Sequence, residues 1–461
     1  MPPTVSAAPP KRKATMEAAS FTRFFTLRGW GLLCAGAASL LGAAALGRRD
    51  LLALAVLLIG LPVLAAALLR LVKPGFDVER TFTPPLVETG TAATVVLRVQ
   101  SRGAPVSGAV MREGLPFRFG PSPVFRFPSV HAAGNSRSNY EYRLRSSRRG
   151  LYGIGPVTAD VMDPLGLARM VHTLGGTDSL AVAPAPLELP PTSLFGSLGA
   201  DGTAASRRRG TPSEDDASTR GYRHGDPMRR VHWAATARHG ELMVRQEEPV
   251  TAPTASILLD QRLSSYADGA AGTPGNGDLL TSEAFEWAVS AVISCAVFFA
   301  EAGYSVRFTD ELSRPGLARS PSALDGAETA FRGADGVQNL AEGLAALGLE
   351  PSPPPSAGSP PDAAVPFAAL DGSGQAPGPL LVIAGRMTPG EALVLAPASR
   401  YARQPLILLV TDRPSALRPV LGILREAGWI AAAVPPALPV PAAWSLLDGD
   451  RQAVHSGGEP V

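Results

Sequence analysis

Ser256-Ile257-Leu258-Leu259-Asp260 is a short apolar run that ends in a carboxylate, and it decides the fold of the C-terminal half. Two further apolar runs, 380–384 and 406–411, follow it along the chain. Continuous apolar runs of this kind are typical of strands that are buried on both faces of a parallel sheet. We therefore predict that all three are strands of one such sheet.

Helical and strand patterns alternate around these runs. The predicted elements are a helix at 283–302, a strand at 305–309, a helix at about 323–347, a helix at 418–427 and a strand at 429–434. Alternation of this kind predicts a doubly wound α/β sheet. The proline-rich stretch 350–379 reads as a loop or an insertion in that domain.

Residues 76–185 have a different rhythm, because polarity there alternates with a period of two. Tyr140, Tyr142 and Leu144, for example, alternate with charged residues. Turn-forming residues separate the runs at short intervals. Several short strands with one polar face indicate an antiparallel β-sandwich. The chain is therefore expected to be multidomain.

Two uncharged apolar segments, 31–47 and 51–69, precede the sandwich. Each approaches the ~20 apolar residues needed to cross a bilayer. Only Arg48, Arg49 and Asp50 separate them, so they predict two antiparallel transmembrane helices in a hairpin. A buried soluble hairpin is an alternative, but neither segment has the polar face of a soluble helix. A signal peptide ending near 43–45 is another, and the second segment would then remain as an anchor.

The charges that flank the hairpin predict its orientation. Lys and Arg are frequent before the first segment and after the second, and the turn holds two arginines. Under the positive-inside rule, this bias predicts a protein that crosses the cell membrane twice. Both termini and the folded domains are then in the cytoplasm.

The composition of the 461 residues excludes other classes of protein. Only 18% are charged, below the ~25% of ordinary soluble proteins, which fits a membrane segment. A net charge of +2 provides no concentrated basic surface, so a nucleic-acid binder is not expected. Two cysteines without a paired motif exclude a disulfide scaffold.

The tract TRGYRHGDPMRRVHWAATARHGELMVRQEE, residues 219–248, links the two predicted folded regions. It reads as a turn, a short helix that ends at His239-Gly240, and a strand. It resembles the family called domain of unknown function 58, which is found in bacteria. The residues that carry the resemblance are Tyr222, Gly225, Asp226, Arg229, Arg230, Val231, Trp233, Ala237, Arg238, Leu242, Val244 and Glu247. The segments 149–152 and 163–167 also resemble the end of that family's sandwich domain.

The resemblance implies a membrane-anchored protein whose C-terminal domain is similar to a von Willebrand factor A domain. It also implies partners, because such genes commonly accompany a MoxR-type AAA+ ATPase and a transglutaminase-like membrane protein. A protein partner would meet a surface formed by the signature residues Tyr222, Gly225, Asp226, Arg229, Arg230, Trp233, Arg238 and Glu247. Alternatively, the arginines pair with Glu247 and Glu248 and fix the tract internally. Trp233 is expected to pack the short helix against the α/β sheet.

The resemblance also directs attention to a metal site. A von Willebrand factor A domain holds a divalent cation with an Asp-x-Ser-x-Ser loop after its first strand, since such cations prefer oxygen ligands. The matching residues are Asp260 and Ser264, but Arg262 replaces the central serine, and Asp412 is a further candidate ligand. We expect the Arg262 guanidinium to occupy the cation's place and to bond Asp260 or Asp412.

Other chemistry finds little support in the sequence. His224, His232 and His239 fall in the signature tract, which leaves a zinc site as an alternative, but they lack a ligand-spaced pattern. No nucleophile elbow or phosphate-binding loop is present. The sequence therefore predicts a non-enzymatic, membrane-anchored interaction or scaffold protein without a cofactor. The alternative is a metal-dependent receptor or hydrolase that uses a degenerate site of Asp260, Ser264 and Asp412, with magnesium as the candidate metal.

The predicted organisation is, in order, a disordered basic tail at 1–28, the hairpin at 29–70, the sandwich at 76–185, a linker at 186–220, the signature tract at 221–248, the α/β domain at 249–447 with its insertion at 350–379, and a flexible tail at 448–461.

Overall fold

The computed structural model describes residues 24–71, 75–102, 109–127, 136–192, 219–221, 233–245, 253–266, 279–351, 366–368 and 378–456. The chain divides into two compact units. One, here the sheet–hairpin unit, comprises residues 1–147 and 152–180. The other, here the α/β unit, comprises residues 148–151 and 181–461.

The sheet–hairpin unit begins with two antiparallel helices, α1 (Leu27–Leu46) and α2 (Arg49–Leu71). Both are long and apolar enough to cross a membrane, as the sequence predicts. They pack closely, because a Cβ atom on Gly36 would lie 2.6 Å from Cγ1 of Ile59. Gly47 ends α1 in the left-handed conformation, with φ of 65°.

Apart from a turn of 3₁₀-helix at Phe117–Phe119, the remaining described elements up to residue 183 are strands. They are β1 (Gly75–Thr83), β2 (Leu86–Glu88), β3 (Ala92–Arg102), β4 (Val110–Glu113), β5 (Val124–Arg126), β6 (Ser136–Arg145), β7 (Gly150–Ile154), β8 (Val157–Met162), β9 (Arg169–Leu174) and β10 (Asp178–Ala183). Two antiparallel sheets, β1-β3-β6 and β5-β4-β8-β9, have core faces that share one apolar cluster. The antiparallel strands predicted from the period of two are therefore present.

The α/β unit contains the elements predicted from the apolar runs. Its strands are β11 (Thr219–Gly221), β12 (Met243–Arg245), β13 (Thr254–Leu259), β14 (Ser305–Asp310), β15 (Ala330–Phe331), β16 (Pro379–Ala384), β17 (Gln404–Val410) and β18 (Ile430–Val434). Its helices are α3 (Trp233–His239), α4 (Glu283–Glu301), α5 (Gly333–Ala345), α6 (Pro389–Leu395), α7 (Arg418–Glu426) and α8 (Val440–Ser456).

Six of these strands form one sheet in the order β15-β14-β13-β16-β17-β18. All neighbours are parallel except β15, which pairs antiparallel with β14. Side chains of α4, α5 and α8 bury one face and those of α6 and α7 the other, so two apolar clusters flank the sheet. Every residue of β16 is buried, as expected for a strand covered on both faces.

Helix α4 is a third segment long and apolar enough to cross a membrane. It lies in the core of the α/β unit, where Phe285, Val292 and Phe299 are fully buried against the sheet. Length and composition alone do not distinguish a core helix from a transmembrane helix, whereas its packing does.

Several predicted boundaries differ from those of the structure. Helix α5 is shorter than the predicted 323–347, because the segment before it makes turns and strand β15. Helix α8 continues to Ser456, into the stretch predicted to be a flexible tail. Most of the basic tail, of the linker 186–220 and of the insertion 350–379 lies outside the described residues.

Candidate functional site

The candidate site lies at the carboxyl edge of the six-stranded sheet. The chain leaves β13 for β14 on one side and later returns to β16 on the other side. The carboxyl ends of β13 and β16 therefore border the point where the strand order reverses. In open α/β sheets, the crevice at this point is the usual place for a ligand.

Both oxygens of the Asp260 carboxylate are occupied by hydrogen bonds. Its Oδ1 accepts from the backbone N–H and from the Nε of Arg262, at 3.0 and 2.9 Å. Its Oδ2 accepts from the Nη2 of Arg262 at 2.8 Å and from the hydroxyl of Ser265 at 2.6 Å. An ionised carboxylate offers about four lone-pair directions, so these four bonds leave Asp260 no free acceptor position.

Arg262 reaches a second carboxylate across the crevice. Its Nη1 donates to Oε1 of Glu391, and its guanidinium carbon lies 5.5 Å from the centre of the Phe367 ring. Glu391 is held in place by a capping box at the start of α6, in which its Oε2 accepts from the backbone N–H of Thr388 at 2.8 Å. We call Asp260, Arg262, Ser265 and Glu391 the Arg262 cluster.

The loop that carries the cluster is fixed through its backbone. Leu263 donates to the carbonyl of Glu350, and Glu350 donates to the carbonyl of Gln261, each at 2.8 Å. Ser265 ends a turn of 3₁₀-helix and is buried, whereas Ser264 in the same turn is exposed. This backbone pairing directs Arg262 and Ser265 toward Asp260.

The charges of the cluster stabilise one another. Burial lowers the pKa of Arg262, but its bonds and attraction to Asp260 and Glu391 outweigh that effect and raise the pKa above its usual range. Burial likewise raises the pKa of Glu391, and the hydrogen bonds from Thr388 and Arg262 outweigh it, so the net pKa is lowered. Arg262 therefore stays cationic and Glu391 anionic at neutral pH.

Glu311, which follows β14, is shifted in the opposite direction. Its side chain is buried and accepts a hydrogen bond from the backbone N–H of Gln261 at 3.0 Å. Burial, with smaller contributions from the nearby negative charges of Asp260 and Asp310, raises the pKa of Glu311. Ionisation of Glu311 thus costs the folded protein free energy.

This shift predicts a pH-dependent effect of Glu311→Gln. Because the folded-state pKa is raised, the contribution of Glu311 to stability is greatest at acid pH and is lost as pH rises through that pKa. The amide keeps an acceptor for Gln261 and carries no charge. We expect the melting temperature of the variant, relative to the parent, to increase between pH 5 and pH 8.

Glu391→Gln is the matched control, because the pKa of Glu391 is lowered. Its contribution is present above the unfolded-state pKa and is lost as pH falls through the folded-state pKa. The variant should therefore be destabilised most at neutral pH and least in acid. Parallel pH profiles for the two variants would contradict this assignment of the charges.

The structure brings together only part of the predicted metal site. Arg262 bonds Asp260 as expected, but Ser265 takes the place proposed for Ser264, because the 3₁₀ turn points Ser264 outward. Asp412 is exposed at the end of β17, two strands from β13. Among the described residues, no group of three His, Cys, Asp or Glu side chains is arranged to hold a metal. The Asp260 carboxylate therefore has no acceptor position free for a magnesium ion while Arg262 is bonded to it.

The signature tract is described only in part. Tyr222, Gly225, Asp226, Arg229, Arg230 and Glu247, and the histidines 224 and 232, lie outside the described residues. Arg238 is exposed on α3, and Thr236 Oγ1 accepts from the backbone N–H of Met243 at 3.0 Å, which ties α3 to β12. Trp233 is 65% exposed. The expectation that Trp233 packs against the sheet is therefore wrong, because α3 is a short helix that leaves this face uncovered.

Arg149 belongs to a segment that resembles the family's sandwich domain, but no sequence pattern predicts its contacts, and it is buried in the α/β unit. It donates to both carboxylate oxygens of Glu286, at 2.9 and 3.0 Å, and to the carbonyls of Leu344 and Leu347, each at 2.6 Å. The guanidinium also lies 5.5 Å from the centre of the Phe285 ring. Arg149 thus joins α4 to the end of α5 and has a structural role.

Comparison with known protein families singles out the same region of the chain. The profile of a family described as "Protein of unknown function DUF58" matches residues 218–274. This match supports assignment to the DUF58 family. The matched segment, here the DUF58 tract, includes Trp233 as well as Asp260, Arg262 and Ser265 of the Arg262 cluster.

Other comparisons add little to the DUF58 assignment. No curated protein matches the chain. The CARDB domain of the PF1109 protein from Pyrococcus furiosus, in complex with di-metal ions, is 16% identical with a TM-score of 0.16, over 22% of this chain and 89% of that one. The alkylpurine DNA glycosylase AlkC of Pseudomonas fluorescens, bound to DNA with an abasic site analog, is 12% identical with a TM-score of 0.18, over 30% and 39%. TM-scores this low carry no argument about fold or function.

Proposed function

We propose that this protein is a non-enzymatic, membrane-anchored interaction protein whose α/β unit is similar to a von Willebrand factor A domain. In this proposal, Arg262 serves as an internal cation at the sheet edge where such domains bind a metal. The observation that carries the proposal is the placement of the Arg262 guanidinium between Asp260 and Glu391. The parallel sheet with one antiparallel edge strand supports the fold.

An internal cation changes what the crevice does. A metal site with an open coordination position binds a ligand through the ion, whereas the Arg262 guanidinium directs one donor of each of its three nitrogens at Asp260 or Glu391. The crevice would then carry the same charge whether or not a metal ion is available. This property fits a scaffold better than a metal-dependent receptor or hydrolase. We infer that recognition takes place elsewhere on the α/β unit.

The exposed part of the DUF58 tract is our candidate for that surface. Trp233 and Leu242 are exposed apolar side chains, and Arg238 is exposed beside them in sequence. Tryptophan and arginine are the residues most enriched at binding hot spots. The family resemblance suggests a MoxR-type AAA+ ATPase as the partner, with a transglutaminase-like membrane protein in the same assembly.

Trp233→Ala separates binding from stability. Because Trp233 is largely exposed, we expect the free energy of unfolding to change by no more than about 0.5 kcal/mol. The melting temperature should therefore stay nearly constant. Affinity for a purified MoxR-type ATPase from the same organism should fall at least tenfold, as for a hot spot worth ~2 kcal/mol. Titration calorimetry with the full-length protein in detergent measures the affinity, and thermal denaturation measures the melting temperature.

Leu324→Ala is the control, because Leu324 is an exposed apolar residue of the α/β unit outside the DUF58 tract. It should leave both stability and affinity unchanged. An equal loss of affinity in the two variants, or none in either, would argue against the DUF58 tract as the binding surface.

We further propose that both termini and the folded domains after the hairpin lie in the cytoplasm. This orientation follows from the charge bias around the hairpin, which leaves only the turn near Gly47 outside. A topology reporter inserted after Gly47 should be external, and one fused after Val461 should be internal. An external reporter at Val461 would favour a surface receptor instead.

A further inference from the structure

The turn at 163–168 of the sheet–hairpin unit is hydrogen-bonded to the start of α1. The backbone N–H of Thr26 donates to the carbonyl of Leu167 at 3.0 Å, and its hydroxyl donates to the carbonyl of Gly166 at 2.6 Å. Arg169 donates through its backbone to the carbonyl of Phe24 at 2.8 Å. The turn is therefore fixed at the first residues of the membrane hairpin.

The turn itself is held in one conformation. The Asp163 carboxylate accepts from the backbone N–H groups of Leu165, Leu167 and Ala168, at 2.9, 2.7 and 2.6 Å. Helix α1 approaches so closely that a Cβ atom on Gly29 would lie 2.2 Å from the carbonyl oxygen of Leu167. These contacts leave the position of Leu165 relative to α1 well defined.

The side chains around this turn are apolar and exposed. Leu165 is 56% exposed at the tip, and Met162 and Val171 are exposed on the two adjoining strands. Met162 lies opposite Arg169, and Val171 lies opposite Asp160, on the face of the sheet that does not contribute to the core. Three exposed apolar side chains close together next to a hairpin end form a patch of the kind that marks an interaction surface.

The length of the hairpin helices indicates that this patch lies at the level of the membrane surface. Helix α1 has 20 residues, which at ~1.5 Å per residue gives ~30 Å, the thickness of the hydrocarbon core. Its first turn must then lie at the boundary between acyl chains and headgroups. Trp30 and Arg28 are exposed in this turn, and such residues are typical of that boundary.

We propose that the turn at 163–168, with Met162, Leu165 and Val171, is a lipid-contacting surface that inserts into the headgroup region of the bilayer. The inference rests on the proposed membrane anchor, since it places the turn at the level of the first turn of α1. Arg28 and Arg169 flank the apolar side chains, where they face lipid phosphates. The sheet then lies against the membrane and has a fixed orientation.

Spin-label accessibility in full-length protein tests this surface. The labels are placed at Leu165→Cys in a Cys34→Ala background, while Cys295 stays unlabelled because it is buried. In phosphatidylglycerol/phosphatidylcholine nanodiscs, the ratio of oxygen to nickel-chelate collision rates should be several-fold higher at Leu165 than at Val124→Cys. Val124 on β5 is the matched control, because it is 53% exposed. It lies opposite Arg112 of β4, which in turn lies opposite Thr158 near the start of β8, whereas Met162 is at the end of β8.

A third label, Leu57→Cys, is exposed in the middle of α2 and tests the anchor itself. High oxygen access at Leu57 with a Leu165 ratio equal to that of Val124 would overturn the lipid-contacting surface alone. Low access to both reagents at Leu165 would also overturn it, because the patch would then be covered by protein. Low oxygen access at Leu57 would overturn the membrane anchor and this inference together.

Discussion

Arg262→Met is expected to lower the free energy of unfolding of the α/β unit by ~3 kcal/mol, the low end of the range for removing one partner of a buried ion pair. Asp260 is fully buried and loses two of its four hydrogen bonds, and Glu391 loses its cation. The backbone bond from residue 262 is retained only if the loop keeps its conformation. The side chain of Arg262 is 18% exposed, which is why we expect the lower end.

Intrinsic fluorescence during thermal denaturation measures this effect, because four of the five tryptophans belong to the α/β unit. Arg314→Met is the matched control. Arg314 bonds Asp310 at 2.8 Å, but its side chain is 48% exposed. The Asp310 carboxylate is buried, but it also accepts from the backbone N–H groups of Leu312 and Arg314, and water screens the half-exposed guanidinium. This variant should therefore melt closer to the parent than Arg262→Met does. Equal effects of the two substitutions would remove the special role of Arg262.

Arg149→Met is expected to destabilise the α/β unit by ~4 kcal/mol, within the range for breaking a buried pair. Its guanidinium is almost completely buried and bonds Glu286 and two backbone carbonyls. Glu286 is partly exposed and can be solvated after the change. The carbonyl of Leu344 keeps backbone donors from Ala346 and Leu347, whereas the carbonyl of Leu347 loses the Arg149 donor in a buried position. A buried unsatisfied group costs ~1–3 kcal/mol.

Arg149→Lys distinguishes geometry from charge. Lysine keeps the positive charge, but a single ammonium group does not reproduce the planar fork that bonds both Glu286 and the two carbonyls. We expect the melting temperature of this variant to lie between those of the parent and Arg149→Met. If Arg149→Lys melted like the parent, the bonds to the carbonyls of Leu344 and Leu347 would contribute little.

The strands of the α/β unit were predictable because each is a continuous apolar run. Strands β13, β16 and β17 end within about two residues of the predicted positions, since burial on both faces leaves a sharp compositional boundary. The contact between Arg262 and Asp260 was also predictable, because the two residues are two positions apart after a strand. Glu391 was missed, although its capping box with Thr388 is a sequence signal that places it at the start of a helix beside the same sheet edge.

The contacts that were not predictable are those between distant segments. Arg149 and Glu286 are 137 residues apart, and no spacing rule relates them. Trp233 was misassigned because hydrophobicity alone does not require burial, and exposed apolar residues are common on protein surfaces. The choice between Ser264 and Ser265 depended on a turn of 3₁₀-helix that composition does not specify.

The effect of divalent cations on thermal stability shows whether Arg262 acts as the cation of its own site. A ligand stabilises a protein only when it binds the folded state in preference to the unfolded state. Millimolar Mg²⁺ or Mn²⁺ should leave the melting temperature of the full-length parent unchanged. It should raise that of Arg262→Ser, in which Asp260 and Glu391 face each other without a cation, and Arg262→Ser/Glu391→Gln should lose this rise. Stabilisation of the parent by Mg²⁺ that Asp260→Ala abolishes would contradict this role of Arg262.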